Sequence, residues 1–189
     1  EQAFTKMDKI NAEVFTLTYG SMVQQLLKDY EDVAEVNTQL EKMGYGIGQR
    51  LIDELLAKSN VGACSDLKET AEVVAKVGFK MFLGVSATVT GWSNEDSEFS
   101  LLLDDNPLLD FVELPEELRN LKYCNILCGV IRGALEMVNL RVECDYLRCT
   151  LWGDDTTEIR IRLMEKMEDK YPFDDDDQTL RPRTPRLVA

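Results

Sequence analysis

The spacing of apolar residues predicts three helices in the first half of the chain. Residues 14–30 carry apolar side chains at every third or fourth position, and residues 36–55 repeat this pattern more regularly. The second helix is predicted to end near Ser59-Asn60-Val61-Gly62, because glycine favours the backbone turn that follows a helix. A third helix is predicted to start at Asp66, since Glu69 stands three residues later in the capping-box position.

The second half of the chain alternates between strand and helix patterns. Residues 87–93 and 98–103 predict one hairpin, and residues 142–151 and 157–163 predict another. The phase of alternation slips by one residue near Tyr146, which indicates a β-bulge.

Between the two hairpins the pattern is helical again. Pro115 followed by two glutamates is typical of a helix start, and residues 121–140 are apolar nearly all round, as in a central helix. In the last strand, Glu158, Arg160 and Arg162 alternate with apolar residues, so we expect them to face solvent or a partner.

This order of elements predicts an α+β fold, in which helices pack against a small antiparallel sheet. We expect residues 13–171 to form a single domain, with residues 1–12 disordered or frayed. Residues 172–189 are first acidic and then basic and proline-rich, a composition that predicts a flexible tail. The last ten residues are a candidate remnant of cloning.

Charge and composition exclude several function classes. A formal net charge of −14 argues against nucleic acid as a partner, although much of the acidity lies in residues 174–177. The sequence has no histidine, the usual general base and the commonest zinc ligand, so we assign no catalytic and no metal-binding residue. Five cysteines without paired spacing, and no secretory signal in residues 1–10, predict free thiols in the cytosol.

Glycines in the second predicted helix suggest a close helix contact. Gly44 and Gly48 are four residues apart on one face, where another helix could approach within the chain or at a dimer interface. A phosphate-binding role for this glycine-rich stretch does not fit, because no strand precedes it.

Two charged residues stand out on the central helix. Arg132 and Glu136 lie one turn apart, and we expect them to form a mutually satisfied pair or a polar edge that meets a partner subunit. A buried catalytic pair is the alternative.

Five cysteines fall into two groups. Four of them, Cys124, Cys128, Cys144 and Cys149, occupy apolar positions and are expected to pack in the core. Cys64 instead lies in a loop of small residues just before a helix N-terminus, which favours the thiolate form. From the residues alone it is either a modified thiol or an ordinary loop cysteine.

Several stretches together resemble one family, the Bet-three core subunits of the TRAPP (transport protein particle) vesicle-tethering complex. They run in the family's order and spacing over roughly residues 11–171. The stretches that carry the resemblance are residues 15–20, 43–52, 59–64, 106–115, 128–138 and 156–160.

The resemblance implies a fold, a modification and a set of partners. It implies a helix-mediated homo- or heterodimer with sister TRAPP subunits. It also implies a covalent palmitate or similar fatty acyl chain on Cys64, held in an internal hydrophobic channel that Gly78 would help to line. The assembled complex would activate a Rab GTPase in endoplasmic-reticulum-to-Golgi transport, so the chain would be cytoplasmic, with peripheral contact at cis-Golgi and endoplasmic-reticulum membranes.

Three hypotheses follow for the function. The first is a non-enzymatic core subunit that contributes scaffold and surface to nucleotide exchange. The second is a stand-alone sensor that binds a lipid or small molecule reversibly. The third is a thioesterase or acyltransferase with Cys64 as nucleophile, which would lack a histidine base.

Overall fold

Two long antiparallel helices open the fold. The computed structural model describes residues 8–168, so the predicted tail lies outside the described residues, as does most of the predicted frayed N-terminus. Helix α1 spans Ala12–Asp29 and helix α2 spans Val33–Ser59, in agreement with the apolar stripes. Helix α2 ends at Ser59, within the predicted stretch, and Asn60 with a φ of 55° provides the left-handed turn in place of the glycine that was expected to assist it.

The predicted third helix forms in three consecutive pieces. Helix α3 (Leu67–Val73) continues through a π-helical turn (Val74–Gly78) into helix α4 (Phe79–Leu83). The Asp66 carboxylate caps the start by accepting a hydrogen bond from the Glu69 backbone at 2.8 Å. The Glu69 carboxylate in turn accepts from the backbone N–H of Ser65 at 2.7 Å, one residue before the position in a standard capping box.

Four strands form one antiparallel sheet. They are β1 (Thr88–Thr90), β2 (Glu98–Leu103), β3 (Leu140–Arg148) and β4 (Thr157–Lys166). Their order in the sheet is β1-β2-β4-β3. The register shifts between Tyr146 and Arg148, which confirms the predicted bulge.

One prediction for the outer face of the sheet is wrong. Glu158 was expected to face solvent or a partner, but only 7% of it is exposed. The Ser100 hydroxyl donates a hydrogen bond to Glu158 at 2.6 Å, and Arg148 and Arg160 pair with the same carboxylate at 3.4 and 3.5 Å. These contacts compensate the buried charge and explain how the sheet accommodates it.

The central helix is shorter than predicted. Helix α5 spans Asn125–Glu136, whereas Pro115 starts only a single 3₁₀ turn, Glu116–Leu118. The amide of Asn37 explains the gap, because it donates to the Asn120 carbonyl at 3.0 Å and accepts from the Lys122 backbone at 2.8 Å. These contacts with α2 take the place of helical hydrogen bonds.

Helix α5 lies between α2 and the sheet, and its buried side chains join those of β2 and β4 in one core. The predicted fold class, helices against a small antiparallel sheet, is therefore confirmed. Within residues 8–168, no helix combines the length and the apolar character that a membrane span requires.

Candidate functional site

The contact between α2 and α5 sets how closely these two helices pack beside the site. A side-chain carbon at Gly44 would lie 3.0 Å from the backbone nitrogen of Val130, and one at Gly48 would lie 2.8 Å from that of Ala134. From Gly44 to Gly48 on α2, the contacted residue on α5 moves from Val130 to Ala134. The two helices therefore run in the same direction. The sequence left two roles open for these glycines, packing within the chain or contact at a dimer interface. The structure shows packing within the chain, so neither glycine is free for a dimer interface.

The glycine contact is reciprocal. A side-chain carbon at Gly129 would lie 2.8 Å from the backbone nitrogen of Tyr45, and one at Gly133 would lie 3.0 Å from the Tyr45 Cα. Sequence reasoning missed these two partners. The signal that could have found them is their spacing of four residues, the same as that of Gly44 and Gly48.

The charged residues of α5 pair with α2 and not with each other. Arg132 forms a salt bridge with Glu41 and lies over the ring of Tyr45, with the guanidinium carbon 5.3 Å from the ring centroid. The Tyr45 phenol donates a hydrogen bond to Glu136. Burial, and then this hydrogen bond, raise the pKa of Tyr45. The expected Arg132–Glu136 pair is therefore wrong, because the close glycine contact brings α2 side chains within reach.

An apolar cavity of about 1020 Å³ lies on the other side of this helix pair. Its walls come from α1, the C-terminal half of α2, the α3–α4 segment and α5. Apolar side chains that line it include Met22, Leu51, Leu55, Phe79, Phe82 and Ile131. This volume lies at the upper end of the roughly 300–1,000 Å³ typical of small-molecule pockets.

Several polar side chains in the cavity wall direct their polar groups to the backbone. The Thr70 hydroxyl donates to the Asp66 carbonyl at 2.9 Å, and the Thr18 hydroxyl donates to the Val14 carbonyl at 2.6 Å. The Tyr19 phenol donates to the Tyr123 carbonyl. Because these donors are satisfied inside the protein, they leave mainly carbon atoms for a bound molecule.

Cys64 lies in the wall of this cavity, in the loop between α2 and α3. Its neighbours Gly62, Ala63, Ser65 and Asp66 line the same part of the cavity. Cys64 is partly exposed, and it borders an apolar space. The capping contacts of Ser65 and Asp66 with α3 hold the chain in place on the C-terminal side of Cys64.

Gly78 lies in the same cavity wall, at the end of the π-helical turn. A side-chain carbon there would lie 3.6 Å from Cδ1 of Leu55 on α2, in ordinary van der Waals contact. The structure thus brings Cys64 and Gly78 together in one cavity. Sequence reasoning assigned no other lining residue, because apolar residues such as Leu51 and Leu55 are indistinguishable from ordinary core positions in a helical stripe.

The remaining cysteines have a different environment. Cys124, Cys128 and Cys149 are buried in the core, and Cys144 packs against it, as predicted. Burial raises the pKa of the Cys128 thiol to about 12 and raises that of Cys124 further. These thiols are therefore protonated at neutral pH and unsuited to nucleophilic chemistry.

This arrangement can hold an attached apolar chain. Cys64 offers a sulfur that can form a thioester, and the cavity offers apolar surface to the attached chain. The residues that follow Cys64 in the cavity wall are Ser65 and Asp66, and the sequence contains no histidine to act as a general base.

Comparison with known proteins agrees with this geometry. A family profile described as "Transport protein particle (TRAPP) component" matches residues 15–162. The chain is 59% identical to "Trafficking protein particle complex subunit 3" of Dictyostelium discoideum over 170 residues, 89% of this chain and 91% of the relative. It is 48% identical to "Trafficking protein particle complex subunit BET3" of Saccharomyces cerevisiae over 173 residues, 90% of each chain.

A solved structure is similar over most of the chain. It is a trafficking protein particle complex subunit 3 from Naegleria fowleri, covalently bound to palmitic acid. The two chains are 60% identical, with a TM-score of 0.82 that covers 86% of this chain and 100% of the other. The chain therefore belongs to the family of transport protein particle (TRAPP) components, in the Bet-three group that its sequence motifs indicated.

Proposed function

We propose that this chain is a non-enzymatic core subunit of a TRAPP vesicle-tethering complex, and that Cys64 carries a fatty acyl chain inside the apolar cavity. The observation that carries this proposal is the position of Cys64 in the wall of a cavity lined largely by carbon. The palmitic acid bound covalently to the Naegleria fowleri relative supports palmitate or a similar chain as the attached group.

The size of the hydrophobic effect explains why the chain would stay inside. A sixteen-carbon chain buried at about 0.8 kcal/mol per methylene contributes on the order of 10 kcal/mol. That is comparable to the entire free energy of unfolding of a typical domain. An acyl chain held in this way stabilises the subunit and cannot anchor it in a membrane at the same time.

The acylation step needs only an activated acyl donor. The Cys64 sulfur attacks the carbonyl carbon of an acyl thioester, a new S–C bond forms, and the donor's S–C bond breaks. The proton lost by Cys64 ends on the departing thiol. Without a histidine to activate water, the product thioester persists.

Subunit pairing is the second part of the proposal. Helix α1 exposes two apolar residues, Val14 (62% exposed) and Leu17 (59% exposed). Helix α2 adds the partly exposed Ile47 and Leu56. Exposed apolar surface of this kind is typical of an interface. It supports a dimer with a second copy or with a sister TRAPP subunit through these helices.

The complex would act on a Rab GTPase at cis-Golgi and endoplasmic-reticulum membranes, where the subunit makes peripheral contact from the cytoplasm. The family membership supports this role, and we assign no residue of this chain to the GTPase contact. Because opening a GTPase nucleotide site requires a composite surface, the isolated chain should have no exchange activity.

Intact mass spectrometry tests the acyl proposal directly. The purified chain should carry an acyl mass that neutral hydroxylamine removes, and Cys64→Ser should lack that mass. Cys144→Ser is the matched control and should keep it, since this partly buried thiol lies outside the cavity wall. An unmodified chain of equal thermal stability would contradict the proposal. A lipid that is extracted without hydroxylamine would favour the reversible sensor instead.

Release of labelled GDP from the Rab GTPase of the same organism tests the role in nucleotide exchange. The reconstituted complex should accelerate release, whereas this chain alone at the same concentration should not. Strong acceleration by the isolated chain would contradict the scaffold role.

A further inference from the structure

The loop that follows β2 exposes a large aromatic side chain. Phe111 is 73% exposed, the highest fraction among the large hydrophobic side chains of residues 8–168. Its neighbour Leu108, by contrast, is buried in the core.

The backbone at Phe111 is held in an unfavourable conformation. Its φ of 64° lies in the left-handed region, which an aromatic residue rarely adopts and which is unfavourable for a side chain of this size. Neither burial of the ring nor a favourable backbone conformation therefore explains a phenylalanine here. A residue kept at a cost to stability is commonly one that function requires.

The surrounding loop is held firmly in place. The Asn106 amide accepts a hydrogen bond from the Leu108 backbone at 3.2 Å and donates to the Tyr146 phenol at 3.3 Å. The Thr16 hydroxyl of α1 donates to the Pro107 carbonyl at 2.8 Å. These contacts hold the loop that carries Phe111, which lowers the entropy cost of binding through it.

The charged residues of the loop that carries Phe111, residues 104–118, all have one sign. The sequence has no lysine or arginine between residues 81 and 118. Within residues 104–118, every acidic side chain is exposed: Asp104, Asp105, Asp110, Glu113, Glu116 and Glu117. Glu116 pairs with Arg119 at 3.3 Å but stays 89% exposed.

We propose that the Phe111 loop, residues 104–118, is a docking surface for a protein partner that offers an apolar pocket rimmed by lysine or arginine. The exposed ring would fill the pocket as the central anchor, and the acidic rim would select and steer the basic partner. This surface goes beyond the proposed acyl-carrying role, because it lies on a different element from Cys64.

The same charges argue against other occupants. An anionic membrane surface would repel six acidic side chains. A second copy of this loop would do the same. A sister subunit of the TRAPP particle with a basic, apolar-centred surface is the partner that fits, and it supplies a defined probe.

Pairwise affinities test the proposal. The acylated chain and each sister TRAPP subunit of the same organism are purified, and their dissociation constants are measured by calorimetry. Phe111→Ala should weaken binding to one of these subunits by roughly tenfold or more. Leu147→Ala is the matched control, since Leu147 is 46% exposed on β3, and it should bind as the wild type does. Unchanged affinity of Phe111→Ala for every subunit would overturn the proposal.

A second variant separates binding from folding. Phe111→Gly removes the anchor but relieves the positive φ, so it should weaken binding as much as Phe111→Ala while its Tm stays at or above the wild-type value. A Tm lowered by several degrees would show that Phe111 serves the fold and would overturn the docking role.

The acidic rim gives an independent test. Asp110→Lys together with Glu113→Lys should slow association with the same subunit, and added salt should slow association of the wild type. Vesicles containing anionic lipid serve as the alternative probe. Binding to those vesicles that depends on Phe111 would overturn the choice of a protein partner.

Discussion

Gly129 of α5 and Tyr45 of α2 lie so close that a side-chain carbon at Gly129 would be 2.8 Å from the Tyr45 backbone nitrogen. The nearest atoms belong to the backbone, which cannot rotate away as a flexible side chain can. The two helices therefore pack at a distance that only glycine permits, and the position of α5 beside the cavity depends on it.

The first prediction concerns this contact. Gly129→Ala should lower the free energy of unfolding by about 3 kcal/mol, because overpacking against backbone forces the helices apart. Gly46→Ala is the control, since a side-chain carbon there meets nothing within 4 Å. It should raise stability by up to about 1 kcal/mol, as alanine is the better helix former. Chemical denaturation measures both, and equal effects would contradict the packing role.

The second prediction concerns the space beside Cys64. Gly78→Leu places a branched side chain in the cavity next to Leu55, so it should reduce the fraction of acylated chain in the intact mass spectrum. Val77→Leu, at an adjacent position outside the cavity wall, should keep the wild-type fraction. Full acylation of Gly78→Leu would show that the chain lies elsewhere.

The third prediction concerns the salt bridge between α2 and α5. Arg132 and Glu41 are 38% and 29% exposed, and Arg132 also lies over Tyr45. A double-mutant cycle with Arg132→Ala and Glu41→Ala should give a coupling of about 1 kcal/mol, partly screened by solvent. The exposed Lys76–Glu72 pair, at 2.6 Å, is the control and should give about 0.3–0.5 kcal/mol.

The fourth prediction is a pH dependence. Hydrogen bonds from Arg160 and then Arg162 hold the pKa of Glu98 below its usual value of 4.5. A lowered folded-state pKa contributes stability that is present above pH 4.5 and is lost as the pH falls toward the folded-state value.

Glu98→Gln should therefore be less stable than the wild type at neutral pH, and the difference in Tm should shrink below about pH 4.5. Thermal unfolding from pH 7 to pH 3 measures it. Glu117→Gln is the control for the loss of one exposed carboxylate. A difference that stays constant through this range would contradict the assignment.

The fifth prediction concerns thiol reactivity. In the folded chain, hydroxylamine treatment should free Cys64 for alkylation, because it lies partly exposed in the cavity wall. Cys124 and Cys128 should react only after unfolding, since burial raises the pKa of both thiols. Peptide mapping after iodoacetamide identifies the alkylated residues, and rapid native labelling of Cys128 would contradict the predicted order.

Local patterns were enough to predict much of the fold. The apolar stripes of α1 and α2, the strict alternation of β4 and the slip near Tyr146 all reflect spacing along the chain. Where a distant side chain competes for backbone hydrogen bonds, the prediction failed. The Asn37 side chain forms hydrogen bonds with the backbone of residues 120 and 122, so α5 starts at Asn125 and not soon after Pro115.

The α+β class, the family and the candidate thiol could all be predicted from the sequence, because these depend on periodicity, motifs and a residue's local neighbours. The structure was needed to show that Gly44 and Gly48 meet α5, that Arg132 pairs with Glu41, and that Cys64 and Gly78 border one cavity. It also showed Phe111 exposed at a positive φ. Each of these relationships depends on which faces of distant elements meet, and that is set by packing of the whole chain.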